Sequence, residues 1–554
     1  MKKRKILSAI LSVTLLASFL IGCGSKQEST ATNGKMDKSP ITLTFYNCDT
    51  STDMPFDDDV AKKITELTGV TLKITHPVSS GDQQSIPLMI ASGEYPDLIY
   101  AKSDTGKLIE AGGIIKLDDY IEKQGKNLKA LYGDNLKKLK YSVEDPSIYT
   151  VGTDRVITQA WDPDGSMQLQ NAVLKELGYP KIKTIYDYEK AIKDYIAKHP
   201  EINGKKTIGM SMMGSDWRWV CTLGNTSSNV IGLPDDGQFK VDEDTKKATY
   251  KFQLPEIKEY FKWLNHMNAE GLLDPETFTQ KEDAFRAKLS QGNVLGTTEP
   301  KWDYSMTTQA LRGAGMDERT FATLPVTVNE KYKDQSLKDY GYAGGRGISI
   351  TSSCKDKDRA FQFLDWLASD EAQVLLNWGI EGKHYTVENG KRVLKPEIQK
   401  QMTTDKDFSK KTGVGLYVYP LPERGDGEKD STGNTYTTNS IDQYIANYSA
   451  VEKETLAAYG VKSWPELFPQ REELSKSNHG KAWQYVVASD SDIAIIQKKA
   501  DDYIQKSVTQ AIIGKEADFD AAWDKIQVDL KEMGIDKVNE GMSKLTQDTM
   551  KLWS

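Results

Sequence analysis

Ile41-Thr42-Leu43-Thr44-Phe45-Tyr46 alternates apolar and polar residues, a strand pattern, and together with the segment after it decides the fold. Beyond a loop rich in Asp and Thr from Asn47 to Asp59, Val60, Ile64 and Leu67 fall at i, i+4 and i+7 and stop at Gly69. That spacing is an amphipathic helix with a C-terminal glycine. Val70, Leu72 and Ile74 then alternate again. Strand, helix and strand in this order seed a mostly parallel sheet, because parallel neighbours need a crossover longer than a hairpin.

The pattern continues downstream. Ile86 to Ala91 reads as a helix ending at Ser92-Gly93, and it leads through Tyr95-Pro96 to the short apolar run Leu98-Ile99-Tyr100. Ile114 to Ile121 comes after Gly112-Gly113. Ile257, Tyr260, Phe261, Leu264 and Met267 share a helical face, as do Ala360, Phe361, Leu364 and Leu367. From about residue 490 onward the chain is almost entirely helical in pattern, with Ile493, Ile496 and Ala500 in phase, then Phe519, Trp523, Ile526 and Leu530. No repeat of solenoid length is present. The tract Glu423 to Asn439, rich in Gly, Asp, Thr and Ser, is expected to be a long surface loop.

The chain has 554 residues, 38% hydrophobic and 27% charged, which fits a folded soluble protein of two to four domains rather than a disordered or multi-span one. Four cysteines exclude a disulfide scaffold. Lys2 to Lys5 form a basic start, Ile6 to Gly22 is an apolar run, and it ends in Leu20-Ile21-Gly22-Cys23. Such a start marks an export signal. The ending also resembles a bacterial lipobox, which implies that Cys23 carries fatty acyl chains such as palmitate and becomes the mature N-terminus. The alternative is an uncleaved anchor, since about 17 apolar residues reach the lower limit for a span. Both readings put the bulk of the chain outside the cytoplasm. The small polar residues after Cys23 read as a tether. Removing the signal takes the net charge from −8 to −12, a surface that disfavours nucleic acid as partner.

Leu88-Met89-Ile90-Ala91-Ser92-Gly93-Glu94-Tyr95-Pro96-Asp97-Leu98-Ile99 resembles a signature of family 1 extracellular solute-binding proteins, the receptors of sugar-importing ABC transporters. Three later stretches agree in order. Leu264 to Gln280 resembles the family's helix, Glu-Gly turn and Asp-Pro sequence; Lys288 to Val294 resembles its strand approach; Arg359 to Gln373 resembles its paired helices. The likeness runs from about Ile41 to Gly382 and is greatest with the large lipoprotein members of Gram-positive bacteria. It implies an α/β, two-lobe periplasmic-binding-protein-like fold with a hinge and a ligand cleft, with a helix-rich C-terminal part. The implied segments are 1–22 as signal peptide, 23–39 as lipid-anchored tether, 40–157 plus 303–352 as first lobe, and 158–302 plus 353–554 as second lobe. The implied partners are an oligosaccharide, the transmembrane subunits of an ABC permease, and the membrane through the lipid anchor. A monomer is expected, without nucleic acid and without a cofactor.

Sugar recognition needs flat aromatic rings for the apolar faces of pyranoses beside planar polar groups for the hydroxyls. The candidates are therefore aromatic residues in turns or at lobe crossovers. Trp161 and Asp162 sit in an Asp-Pro-Asp-Gly turn; Trp217, Arg218 and Trp219 come after Gly214-Ser215; Glu299 and Trp302 flank Pro300. Tyr342 and Arg346 flank two glycines, Trp378 comes after a helix, and Asn47 after the first strand. Trp263, Trp366, Trp483 and Trp523, on helical faces, are expected in the core.

Other chemistry is thin. The five histidines show no H-x-x-x-H spacing and no phosphate loop is present, so neither a metal nor an ATPase is expected. The stretch His199 to Lys206, where some members of the resembled family carry a calcium loop, lacks the carboxylates. Asp235-Asp236-Gly237 reads as a hairpin turn. A surface glycoside hydrolase remains the rival, with Asp162, Asp164 and Glu299 as the loop carboxylates available to it. A receptor whose ligand is a peptide, a lipid or an acidic sugar is the third reading, with Arg218, Lys301 and Arg346 as the cations that favour a uronic acid, although neutral sugars use arginine as well.

Overall fold

The first strand, β1 (Ile41–Asn47), is followed by the helix Asp59–Thr68 and by β2 (Val70–Thr75), as the alternation predicts. The helix starts where the Asp58 carboxylate accepts the N–H of Ala61 at 2.9 Å and stops at Gly69, whose φ of 74° and N–H to Thr65 close the last turn. A Cβ at Gly69 would lie 2.3 Å from the carbonyl oxygen of Lys38, so only glycine fits. β1 pairs in parallel with β2 and with β3 (Leu98–Tyr100).

Apart from three two-stranded hairpins, the later strands form a second sheet and one return to the first. They are β4 (Met167–Gln170), β5 (Ile208–Met210), β6 (Val294–Thr297), β7 (Phe321–Leu324) and β8 (Ile348–Ile350). The first sheet has the order β8-β3-β1-β2, with β8 antiparallel to β3. The second has the order β7-β4-β6-β5, in which only β6 and β5 run parallel. At the centre of the second sheet Gly296 leaves room for Tyr188, whose hydroxyl donates to the carbonyl of Gln168 at 2.8 Å.

The computed structural model describes residues 36–50, 53–78, 84–156, 163, 167–488 and 490–554. Met1–Met36 is one unit and Asp37–Ser554 another. Within the second, the crossings between sheets fall elsewhere than expected. Residues 303–324 belong with the second sheet: the helix Lys301–Gly313 packs on the helix Glu282–Ser290, and β7 pairs with β4. Residues 353–378 belong with the first, because the helix Lys357–Leu367 packs on Asp118–Gln124 and Lys126–Tyr132. There the Asp365 carboxylate accepts the N–H groups of Asn127 and Leu128, each at 2.9 Å. β7 escaped the sequence reading because all four of its residues are buried, which leaves no alternation.

The tract from Glu423 to Asn439 is no surface loop. It has little regular structure, yet Glu423, Asp426, Tyr436 and Thr437 are buried. Tyr436 donates to Asp370 at 2.6 Å and the N–H of Arg424 donates to Gln373 at 2.7 Å, which fastens the tract to the first sheet's helices. The chain then returns to the second sheet, where Thr455 donates to Asn171 at 2.9 Å. The C-terminal part is helical as expected: Asp492–Ile513 and Phe519–Glu532 pack on the helix Ile257–Ala269, and Ile535–Trp553 packs on Asp492–Ile513. Phe261 stacks on Trp523 at 5.6 Å, and the Asn265 amide caps the carbonyls of Ala511, Ile512 and Gly514.

Candidate functional site

Four segments that run between the sheets meet at one place: residues 152–156, 338–347, 419–426 and 479–485. The first carries Asp154 and Arg155 on successive positions, so their side chains part. Arg155 reaches Glu423 at 3.1 Å and also contacts Asp426, tying two crossings together. Asp154 instead receives the Gln484 amide. Burial pushes the Asp154 carboxyl up, while Lys481 and Arg346 pull it down. Just before them Thr153 holds a φ of 83°, costly for a β-branched residue. It is fixed by its N–H to the carbonyl of Pro420 at 2.9 Å and its hydroxyl to that of Arg346 at 2.6 Å.

Beside Asp154 the first sheet contributes the end of β3. The hydroxyls of Tyr100 and Tyr419 are 2.5 Å apart, and Tyr419 donates its proton to Asp49 at 2.9 Å. Tyr100 is therefore the donor to Tyr419. Lys102 pairs with the other oxygen of Asp49, and Asn47 accepts the N–H of Asp49 at 3.0 Å, which shapes the turn after β1. The last crossing contributes Trp483, 38% exposed, with the Arg346 guanidinium 5.5 Å and the Lys481 ammonium 5.7 Å from its ring.

The second sheet contributes an aromatic pair. Trp217 and Trp302 lie parallel, 6.0 Å between centroids, and are 37% and 52% exposed. Arg218 lies 5.0 Å from the Trp217 ring on a buried, fully committed fork: Nη1 to Asp216, Nε to Asp303, Nη2 to Glu282. Glu299, at the end of β6, is sealed from solvent. It accepts the N–H of Met213, its second oxygen has no partner among the described residues, and burial pushes it well above the usual carboxylate range.

Cys221 is half-buried. Burial pushes its thiol up to about 12, and the charges acting on it come from Asp235, Glu299, Lys102 and Lys251. Lys102 belongs to the first sheet's loops, whereas Glu299 comes after β6, so charges from both sheets act on this cysteine. The half-exposed rings and interlocked polar groups can hold the faces and hydroxyls of a sugar.

Several expected site residues lie elsewhere. Trp219 is 1% exposed, donates to Thr509 at 3.1 Å and stacks on Phe261, because the turn before it points the two indoles in opposite directions. Trp378 is buried against Tyr385 and donates to the carbonyl of Thr435 at 3.1 Å. Tyr342 packs its ring on Tyr132. Arg218 spends every arm on carboxylates and so positions Trp217. Trp161, Asp162 and Cys23 lie outside the described residues. In the other direction, Trp483 is displayed and not buried in the core, in a 3-10 turn after His479-Gly480. That glycine was the signal against a helical face. Tyr100, Tyr419, Asp49, Lys102, Asp154 and Gln484 had no local signal.

Among the described residues no group of three or more His, Cys, Asp or Glu is placed to hold a metal ion, and no helix is long and apolar enough to cross a membrane. His199 to Lys206 forms a tight hairpin turning at Asn203 and Gly204. Asp235-Asp236-Gly237 turns too, but Asp236 is buried and accepts the N–H of Ala482, so it anchors the last crossing and is no hairpin tip.

Two α/β sheets joined by several crossings, with aromatic and polar groups displayed on each, define a two-lobed fold of the binding-protein type. The sequence profile of the bacterial extracellular solute-binding protein family matches residues 59–378, more than half of the chain, and the chain belongs to that family. Among curated proteins it is 22% identical to the fructooligosaccharide ABC transporter substrate-binding protein FusA of Streptococcus pneumoniae over 566 residues, 95% of each chain. It is also 22% identical to lipoprotein LipO of Bacillus subtilis over 387 residues, 69% of this chain and 74% of that one. Among solved structures, FusA in complex with kestose superposes with a TM-score of 0.66 at 18% identity, covering 92% of this chain and 99% of that one. An HMO-binding solute-binding protein from Bifidobacterium longum infantis gives 0.66 at 16% identity with the same coverage. These likenesses establish the periplasmic-binding-protein-like fold.

Proposed function

We propose that the chain is the extracellular substrate-binding protein of an ABC importer, which holds an oligosaccharide between its two sheets and passes it unaltered to the permease subunits. The observation that carries this reading is the display of three half-exposed indoles, the parallel pair Trp217 and Trp302 on the second sheet and Trp483 on the last crossing, together with polar groups already held by hydrogen bonds, such as Tyr100, Tyr419 and Asp154. Rings of this kind lose little freedom on binding, so stacking on them retains most of its free energy. The crossings at 152–156 and 419–426 act as the hinge, and closure over the ligand makes the form that the permease recognises. The name of FusA, a transporter's substrate-binding protein, supports the permease as partner. The Leu20-Ile21-Gly22-Cys23 sequence and the likeness to a lipoprotein support an acylated Cys23 holding a monomer at the outer face of the membrane. No residue is assigned a catalytic role.

Isothermal titration calorimetry of the mature chain against a panel of plant, microbial and host oligosaccharides tests the reading. Saturable binding at micromolar Kd or tighter is expected for at least one glycan, recovered intact by chromatography. Tight binding of peptides with no glycan bound, or recovery of cleaved sugar, sinks it.

A further inference from the structure

Arg346 is the exception among this protein's buried and half-buried arginines. Arg155, Arg218, Arg286, Arg312, Arg392 and Arg424 each contact a carboxylate directly. Arg359 donates to the carbonyls of Ser39 and Thr68 at 2.8 and 3.2 Å. Arg346 has neither. Among the described residues its Nε is buried without a partner, and Nη2 has one long contact, 3.5 Å to the carbonyl of Tyr485. Asp154 acts on it electrostatically without touching it, and the Asp154 carboxylate is engaged by Gln484. Burial pulls the Arg346 guanidinium below its ordinary value, with Tyr100, Asp154 and Tyr419 opposing. A desolvated cation with no carboxylate in contact is costly; the buried Arg359 and Lys251 lack one too, but each donates to a carbonyl at 2.8 Å, a shorter contact than Arg346 makes among the described residues.

The position of the group is as telling as its isolation. Its backbone comes after Gly345, at φ 113°, and is pinned through the Arg346 carbonyl by Thr153. The guanidinium and the Lys481 ammonium share one indole, at 5.5 and 5.7 Å from the Trp483 ring, and Lys481 is 3.8 Å from Asp235. An anionic group brought to the exposed part of Trp483 would therefore lie near two cations.

We propose that the ligand carries a carboxylate, as a uronic acid residue stacked on Trp483 with its acid group against Arg346 and Lys481. This rests on the oligosaccharide reading above and narrows it to acidic saccharides. A guanidinium pairs a planar carboxylate through two parallel N–H bonds, whereas a primary hydroxyl at the same carbon fills one.

The test is calorimetry with uronate trisaccharides (galacturonate, mannuronate, guluronate and glucuronate series), each beside its methyl ester and its neutral counterpart. At least one acid is expected to bind about 10-fold or more tighter than its ester and its neutral counterpart. That advantage should shrink as salt rises and disappear in Arg346→Met, checked for folding by thermal melting. The ester comparison uses the unaltered protein, so a variant that fails to fold does not decide the outcome. Neutral oligosaccharides binding as tightly as any acid would overturn the acidic ligand and leave the oligosaccharide receptor standing. Binding of no saccharide of either kind would overturn both. Equal loss of acid and ester binding in Arg346→Met would assign the residue to hydroxyls and refute the carboxylate contact.

Discussion

Trp217 and Trp302 come from different segments of the chain and face each other with 1° between their ring planes. A half-exposed pair this well aligned costs solvent-exposed apolar area unless something else covers it. Replacing Trp302 with Ala should weaken binding of the oligosaccharide about 10- to 100-fold, from loss of one stacking face. The melting temperature should fall by no more than about 3 °C, since the side chain is half in water. Trp219→Ala gives the opposite result: a core cavity destabilising by about 3–5 kcal/mol, with affinity unchanged in whatever fraction folds. Calorimetry and thermal denaturation on both variants check this.

Arg218 is what aligns the pair. It pairs with Asp216, next to Trp217, and with Asp303, next to Trp302, so one guanidinium fixes both backbones. Arg218→Met removes the partner of Asp303, a carboxylate only 1% exposed, and should destabilise by about 3 kcal/mol. Arg286, which also reaches Asp303 at 3.2 Å, holds the loss to that size. The near-ultraviolet circular dichroism of the coupled indoles should collapse, and glycan affinity should drop while the protein remains folded. Unchanged dichroism would show that the rings align without the arginine.

What could be read from the sequence divides along physical lines. Ile41 to Tyr46 and Val70 to Ile74 betray their strands because one face is buried and the other is not. Met167 to Gln170 and Phe321 to Leu324 are buried on both faces and carry no alternation, so the second sheet was invisible and the lobe boundaries were misplaced. For the site, Trp217 and Trp302 were legible because turn residues and Pro300 display them. Trp219, two positions from Trp217, could not be told apart from it, since the chain there leads into a π-helical stretch with neither period. Asp154, Tyr419 and Trp483 meet only through crossings far apart in sequence, and nothing local announces that meeting.

The buried carboxyls set an unusual pH dependence of stability. Burial pushes Asp236, Asp334 and Asp501 up to about 6 and Glu423 up to about 7. Each then binds its proton more tightly folded than unfolded, so its contribution is greatest below the ordinary carboxylate range and is lost as pH rises toward 6 or 7. Asp145 and Glu243 are shifted the other way, to about 2: hydrogen bonds from Ser147 and Tyr149 lower the first, and at the second the neighbouring His479 ring and the hydrogen-bonded Lys338 ammonium outweigh burial. Their contribution is present above the ordinary range and lost as pH falls through it toward 2. The melting temperature should therefore peak at about pH 5 and decline toward pH 7.5. Glu423→Gln, which removes one titrating proton, should flatten the decline between about pH 5 and 7. Melting curves across pH 4 to 8 measure it, and a stability that rises steadily to pH 7.5 would contradict the assignment.

Tyr419 offers the sharpest single-atom test of the polar group at the end of β3. Its hydroxyl accepts from Tyr100 and donates to Asp49, so Tyr419→Phe leaves one donor and one acceptor unmatched at the edge of the cleft. The ring stays, still edge-on to Tyr100 at 5.7 Å, and the side chain is 42% exposed, so water can replace the lost bonds in the free protein. Stability should change by less than about 1 kcal/mol. In the closed, ligand-bound form that water is excluded, and the same two groups go unpaired or turn onto the sugar in the wrong geometry. Affinity should then fall about 5- to 30-fold, the range for a hydrogen bond lost on desolvation. Calorimetry of the variant with the sugar that binds the unaltered chain decides it. An affinity within a factor of two would move the ligand away from β3 and toward the Trp217–Trp302 face alone.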